Sequence, residues 1–120
     1  MRTRLLLVDD HDWFRRIAVA TLQAGDFEVI GEAATAAEAL AAARALRPDL
    51  VLLDVALPDS DGFDVADRLA NLAPPPVVVL ISSRTSDDYG DRLSRPSVAG
   101  FLTKDDLTPR ALAALLADHR

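Results

Sequence analysis

Cysteine is absent from the sequence, which removes disulfide frameworks, thiolate metal sites and a cysteine nucleophile together, and fits a reducing, cytoplasmic setting. No apolar run is long enough to cross a bilayer. The opening Met1-Arg2-Thr3-Arg4 ahead of Leu5 to Val8 faintly resembles a secretion signal, but the run is too short and ends directly in Asp9-Asp10. Positive charge is scarce: 13 Lys and Arg stand against 19 Asp and Glu, a formal net charge of −6. Such a field repels nucleic-acid phosphates and anionic headgroups, so neither direct nucleic-acid binding nor membrane attachment is expected. A glycine-rich turn is also missing after the first apolar run, where Asp9-Asp10-His11-Asp12 would repel a bound phosphate. That counts against a nucleotide- or flavin-binding module.

What the chain does have is enough apolar content for one core. With 120 residues, 50% of them hydrophobic, a single domain over residues 1–120 can close without staples. Leu5-Leu6-Leu7-Val8 is apolar throughout, the pattern of a strand covered on both faces, and it stops at Asp9-Asp10. Phe14, Ile17, Ala18, Thr21 and Leu22 recur at helical spacing up to Gly25, a residue suited to the left-handed position that closes a helix. A β-rich run from Phe27 to Ala33 leads to Thr35-Ala36-Ala37-Glu38, a capping box that opens a second helix carrying Leu40 and Leu46 and ending near Arg47, before Pro48.

Leu50-Val51-Leu52-Leu53 repeats the first pattern and ends in Asp54. Leu57 to Gly62 is loop by composition, and Phe63, Val65, Ala66, Leu69 and Leu72 mark a third helix stopped by Pro74-Pro75-Pro76. Val77 to Ile81 is the most β-prone run and ends in Ser82-Ser83, and Gly100 to Thr103 ends in Lys104. Thr108 as cap with Pro109 in the first turn opens a last helix with Leu112, Leu115 and Leu116 inward. Between Arg84 and Val98 little is apolar besides Tyr89 and Leu93, so one short helix with low order around it is expected there. Strands alternating with helices predict an α/β fold, a parallel sheet with helices on both faces.

In such a sheet the carboxyl ends of the strands share one edge, where ligands bind. Asp9 and Asp10 close the first strand, Asp54 the third, Ser82 the fourth and Lys104 the fifth. Two carboxylates about 4 Å apart repel by roughly 4 kcal/mol at an effective dielectric near 20, so the trio calls for a cation. Carboxylate oxygens with room for water and a phosphate favour magnesium over zinc. A lysine supplies a point charge for a phosphoryl oxygen and a serine hydroxyl donates to another. Together these groups describe transfer of a phosphoryl group to an aspartate.

Asp9-Asp10, the segment from Asp54 through Pro58 to Gly62, Ser82-Ser83 and Lys104 occur in the order and spacing of receiver domains of bacterial two-component response regulators, and the chain resembles that family along its whole length. The resemblance implies a flavodoxin-like (CheY-like) sheet of five parallel strands in the order 2-1-3-4-5, with a short or irregular fourth helix here. It makes Asp54 the phosphoacceptor, Asp10 a direct Mg2+ ligand with Asp9 in support, and Ala56 a ligand through its backbone carbonyl. Lys104 would bridge to the phosphoryl group. Ser82 would move inward to bond it, and Phe101, which has no hydroxyl, would turn inward when it does. Arg84 lies where the family tunes the rate of phosphoryl release.

The implied partners are a sensor histidine kinase and a downstream protein or output domain, with a homodimer left open. The stretch from Asp10 through Phe27 and Gly31 resembles receivers that carry a C-terminal helix-turn-helix domain, which is not part of these residues. The implied role is a switch, not a turnover enzyme, with Arg84 to Val98 mobile before phosphorylation and ordered by it.

Blander readings exist for each residue alone. Asp9-Asp10 could cap a helix, Pro58 and Gly62 suit any turn, and Asp59 and Asp61 read as solvated or capping residues. His11 and His119 are expected to be exposed without a role. Trp13 either flanks the pocket or simply packs. A degenerate receiver that binds partners without phosphorylation uses the same fold. A magnesium-dependent phosphohydrolase would want an acid two residues after the nucleophile, where Ala56 stands.

Overall fold

The computed structural model describes residues 2–119. Five runs pair as parallel strands: β1 (Thr3–Val8), β2 (Phe27–Ala33), β3 (Leu50–Asp54), β4 (Val77–Ser82) and β5 (Gly100–Thr103). Their order across the sheet is β2-β1-β3-β4-β5, the flavodoxin-like order that the resemblance implied. Among the described residues, α1 (Asp12–Gln23), α2 (Ala36–Leu46) and α3 (Gly62–Leu69) connect β1 to β4 in turn, and α4 (Pro109–His119) follows β5.

Side chains alternate across a strand, so continuous apolar runs feed two cores at once. Leu6, Val8, Val51, Leu53 and Leu80 face α2 and α3, where Leu40, Phe63 and Leu69 are buried. Leu5, Leu7, Leu52, Val79 and Ile81 face α1 and α4, meeting Phe14, Ala18, Leu22 and Leu112. Each fully buried side chain of this kind contributes roughly 1.5–3 kcal/mol. The inner stripe of α1 is narrower than its apolar spacing suggests, because Ile17 is 58% and Trp13 57% exposed on the outer side.

The helix ends follow the expected chemistry with three adjustments. Thr35 accepts the Glu38 amide at 3.1 Å, but the Glu38 carboxylate reaches back to the amide of Ala34, one residue beyond the usual box. Thr108 caps α4 through the Ala111 amide at 3.0 Å. Gly25 does not take the left-handed position expected of it; its bare Cα admits Pro109, which would lie 2.6 Å from a Cβ there. The left-handed closing residue is instead Arg47, with φ 50° after α2. The Arg4 guanidinium donates to the carbonyls of Leu46 and Arg47, which occupies acceptors that a helix end leaves open. The third helix stops at Leu69, and Leu72 packs on the core from beyond it.

In place of the single short helix expected between Arg84 and Val98 there are two 3₁₀ turns, Ser86–Asp88 and Gly90–Ser94. This strap has definite anchors. Tyr89, Leu93 and Val98 pack on the core, Arg92 pairs with Asp61 at 2.7 Å, and Arg95 and Ser97 both bond Asp67.

The junction of β3 with α3 is the tightest backbone approach next to the carboxyl edge. A Cβ on Gly62 would sit 2.6 Å from the Asp54 carbonyl oxygen and 2.9 Å from Val55 Cα, and the Gly62 amide donates to the Val55 carbonyl at 2.6 Å. Both neighbours are backbone and cannot swing aside. Gly62→Ala is therefore expected to cost about 1–3 kcal/mol in urea denaturation; an unchanged midpoint would show that the junction yields.

Candidate functional site

The ends of β1, β3, β4 and β5 converge as the sequence suggested. Asp9 and Asp54 are buried, at 0% and 4% exposure, and Ser82 is buried with them. The Lys104 ammonium stands 2.6 Å from Asp9 Oδ2 and 3.2 Å from Asp54 Oδ2, joining β5 to both acidic strand ends. It also sits 4.7 Å from the centre of the Phe14 ring, whose π face favours a cation. Asp54 Oδ1 accepts the Ala56 amide at 3.1 Å. Asp10 is more open, at 35% side-chain exposure.

Asp9 Oδ1 accepts the His11 amide at 2.8 Å and lies 3.0 Å from His11 Nδ1. Asp9 Oδ2 is buried and accepts no hydrogen bond, its contact with Lys104 being an ion pair without that geometry. One ligand atom from each of Asp9, Asp10, His11 and Asp54 lies within 4.8 Å of the others. Three carboxylates and a single resident ammonium leave net negative charge at this edge. The residues fit a divalent cation with a preference for oxygen ligands. His11 is exposed as expected, yet its ring nitrogen belongs to this cluster.

Burial pushes the Asp54 carboxyl up from the ordinary carboxylate range, with the Asp9 charge adding to it and the Ala56 amide and Lys104 opposing it. Burial alone would pull Lys104 down; the close carboxylates of Asp9 and Asp54 outweigh it, and the ammonium ends raised.

Ser82 Oγ accepts the Arg84 amide at 3.0 Å and lies 2.5 Å from Tyr89 Oη. Phe101 is half-buried on β5, its ring 5.6 Å from that of Tyr89. The Ala56 side chain is exposed, so no second acid stands beside Asp54 at that place.

Three contributors escaped the sequence reading in whole or in part, Asp59 having been read as solvated or capping with no helix assigned to it. Arg15, one turn into α1, reaches back to the Asp9 carbonyl and also pairs with Asp12 and Glu32, so it fixes the end of β1. Asp59 caps α2 from a different loop, accepting the amides of Ala36 at 2.7 Å and Ala37 at 3.1 Å, which hold its carboxyl below the usual carboxylate range. Tyr89 is the third, discussed below. Spacing to Asp9 could have suggested Arg15; nothing local signals the other two.

The family model described as "Response regulator receiver domain" matches residues 5–117. The DNA-binding transcriptional activator DevR/DosR of Mycobacterium tuberculosis is 37% identical over 103 residues, covering 85% of this chain and 48% of its own length. The response regulator GacA of Pseudomonas viridiflava is 36% identical over 102 residues, covering 84% of this chain and 48% of its own. The chain spans about half the length of the curated relatives it matches. Among solved structures, the signal receiver domain of the response regulator NarL from Mycobacterium tuberculosis superposes with a TM-score of 0.86 at 33% identity, covering 98% of this chain and 96% of that one. The chemotaxis response regulator CheY4 of Vibrio cholerae gives 0.82 at 25% identity with full coverage of both.

Asp54 holds its proton more tightly folded than unfolded, so it favours the folded state most below the ordinary carboxylate value, and that preference is lost as pH rises through the elevated folded value. Asp54→Asn removes this loss while Lys104 keeps Asp9 as partner. In EDTA the variant is expected to be more stable than the native chain at neutral pH. The gap should narrow on acidification toward the ordinary carboxylate value in parallel urea titrations; a gap that widens would reverse the assignment.

Proposed function

Because this chain belongs to the response regulator receiver domain family, we propose that it accepts a phosphoryl group on Asp54 from a phosphohistidine of a sensor kinase and acts as a two-component switch. The supporting observation is the meeting of Asp54 with Asp9, Asp10 and Lys104 at one sheet edge. An Asp54 carboxylate oxygen attacks phosphorus, the P–O bond forms, and the P–N bond breaks with its electron pair leaving on the imidazole. Asp9, Asp10, Asp54 and the Ala56 backbone carbonyl would hold Mg2+, which when bound supplies positive charge to the phosphoryl oxygens.

Each residue of the chain then has one task. Asp9 and Asp10 concentrate negative charge where a cation is needed. Lys104 leaves its carboxylate partners far enough to meet a phosphoryl oxygen, and the Phe14 face keeps its ammonium near the edge. Ser82 donates a hydrogen bond to another phosphoryl oxygen. Water later cleaves the acyl phosphate, so the protein ends where it began and turns over no external substrate. The relatives' names describe transcriptional regulators, which supports a downstream DNA-binding partner or output domain as the reader of the switch.

With magnesium and acetyl phosphate, the native chain is expected to gain one phosphoryl group by intact mass, and Asp54→Asn none. No modification of either chain despite magnesium binding would favour the degenerate, phosphorylation-independent module. Magnesium at ten times its Kd is expected to stabilise the native chain by about 1.4 kcal/mol. Asp10→Asn should need more magnesium for the same rise in thermal midpoint; an unchanged requirement would remove Asp10 from the ligand set.

A further inference from the structure

Tyr89 is the only tyrosine in the chain, and it stands in the strap after β4 rather than on the strand that carries Phe101. Its hydroxyl lies 2.5 Å from Ser82 Oγ. Its ring packs against Phe63 at 5.8 Å and Phe101 at 5.6 Å between centres. Gly90 follows at φ +55° with open space around it, a backbone turn that glycine allows cheaply. Two residues further, the Arg92 guanidinium lies 4.1 Å over the Phe63 ring and pairs with Asp61.

A serine hydroxyl has one proton and two lone pairs. One lone pair of Ser82 already takes the Arg84 amide. If Ser82 donates to Tyr89, it has no proton for a phosphoryl oxygen; if it accepts from Tyr89, turning toward the phosphoryl group strands a half-buried phenol. Either way the two partners compete for one hydroxyl. Phe101 has no hydroxyl with which to join that competition, so the polar half of the contact falls to Tyr89.

Resting on the reading of Asp54 as phosphoacceptor, we propose that Tyr89 is a latch: its hydroxyl holds Ser82 away from the acidic pocket, and its release when Ser82 turns to a phosphoryl group frees the strap of residues 84–98. Tyr89 is thus a positioning residue, acting through Ser82 and touching no reacting atom. The strap moves as a consequence, because the ring that leaves is the one packed on Phe63 and Phe101. Its surface anchors, Arg92 on Asp61 and Arg95 on Asp67, are exposed ion pairs that contribute little.

The test uses the whole chain with magnesium and beryllium fluoride, a phosphoryl mimic. Tyrosine labelled with carbon-13 at Cζ gives one resonance, that of Tyr89. Ser82→Ala without the mimic is expected to shift this resonance; an unmoved resonance would mean there is no latch. Binding of the mimic to the native chain should shift it as well. Tyr89→Phe keeps the ring and removes the competitor, so the mimic should bind about three- to tenfold more tightly, and this gain should vanish in the Ser82→Ala background. Mimic binding that leaves the resonance in place, or an equal gain in the Ser82→Ala background, would overturn the latch alone. Failure of the mimic to bind any variant would overturn the phosphoacceptor reading, and the latch with it.

Discussion

Asp9 and Asp54 share one ammonium group, and the geometry of the whole carboxyl edge depends on that shared contact. Two buried carboxylates at the ends of neighbouring strands repel, and burial makes Asp54 dearer to ionise. Lys104 answers both from just beyond the end of β5, two strands away from β3, at 2.6 and 3.2 Å. The contact therefore ties β1, β3 and β5 into one charged unit, with α1 contributing the Phe14 face against the ammonium. The two carboxylates already outnumber the ammonium, and Asp10, partly open to solvent, adds a further negative charge. An arrangement neutral with Lys104 alone would have no reason to hold a divalent cation; this one does.

The supports of the edge differ in stiffness on its two sides. Toward β1 and β3, Arg15 clamps the Asp9 carbonyl, and Gly62 is pressed onto the backbone at Asp54 and Val55. The Asp54 carboxylate is held there by the Ala56 amide as well. Toward β4 and β5 the supports are a hydroxyl contact, aromatic edges and exposed ion pairs. Backbone packed against backbone yields little, whereas a rotatable hydroxyl and a ring beside a left-handed glycine have alternative positions. On the proposed reading, positional accuracy for chemistry and freedom for readout lie on opposite sides of one edge.

Much of this was legible in the residues. Four continuous or β-prone runs ending in Asp, Asp, Ser and Lys predict both the parallel sheet and the place where the polar groups meet. The cap at Thr108 and the stop before Pro48 are local signals, and the structure has both. What was not legible depends on contacts distant in sequence. Asp59 caps α2 from 23 residues away, and Tyr89 looked like one of two apolar residues in a weak segment, since nothing in its neighbours points to Ser82. Gly25 misled for a related reason: its smallness admits Pro109, a residue brought there only by the folded sheet, while Arg47 carried the left-handed turn against its own steric preference.

The same edge also bears on why a switch fits better than a hydrolase. A turnover enzyme built on an aspartyl phosphate needs a group that hands a proton to the leaving group and then takes one from water. Two residues after Asp54 that place is filled by an exposed methyl side chain, and the Ala56 amide is already spent on Asp54 Oδ1. Lys104 is a raised, fully charged ammonium with no lone pair to accept a proton. On the proposed reading the acyl phosphate therefore meets water without a dedicated base at that position.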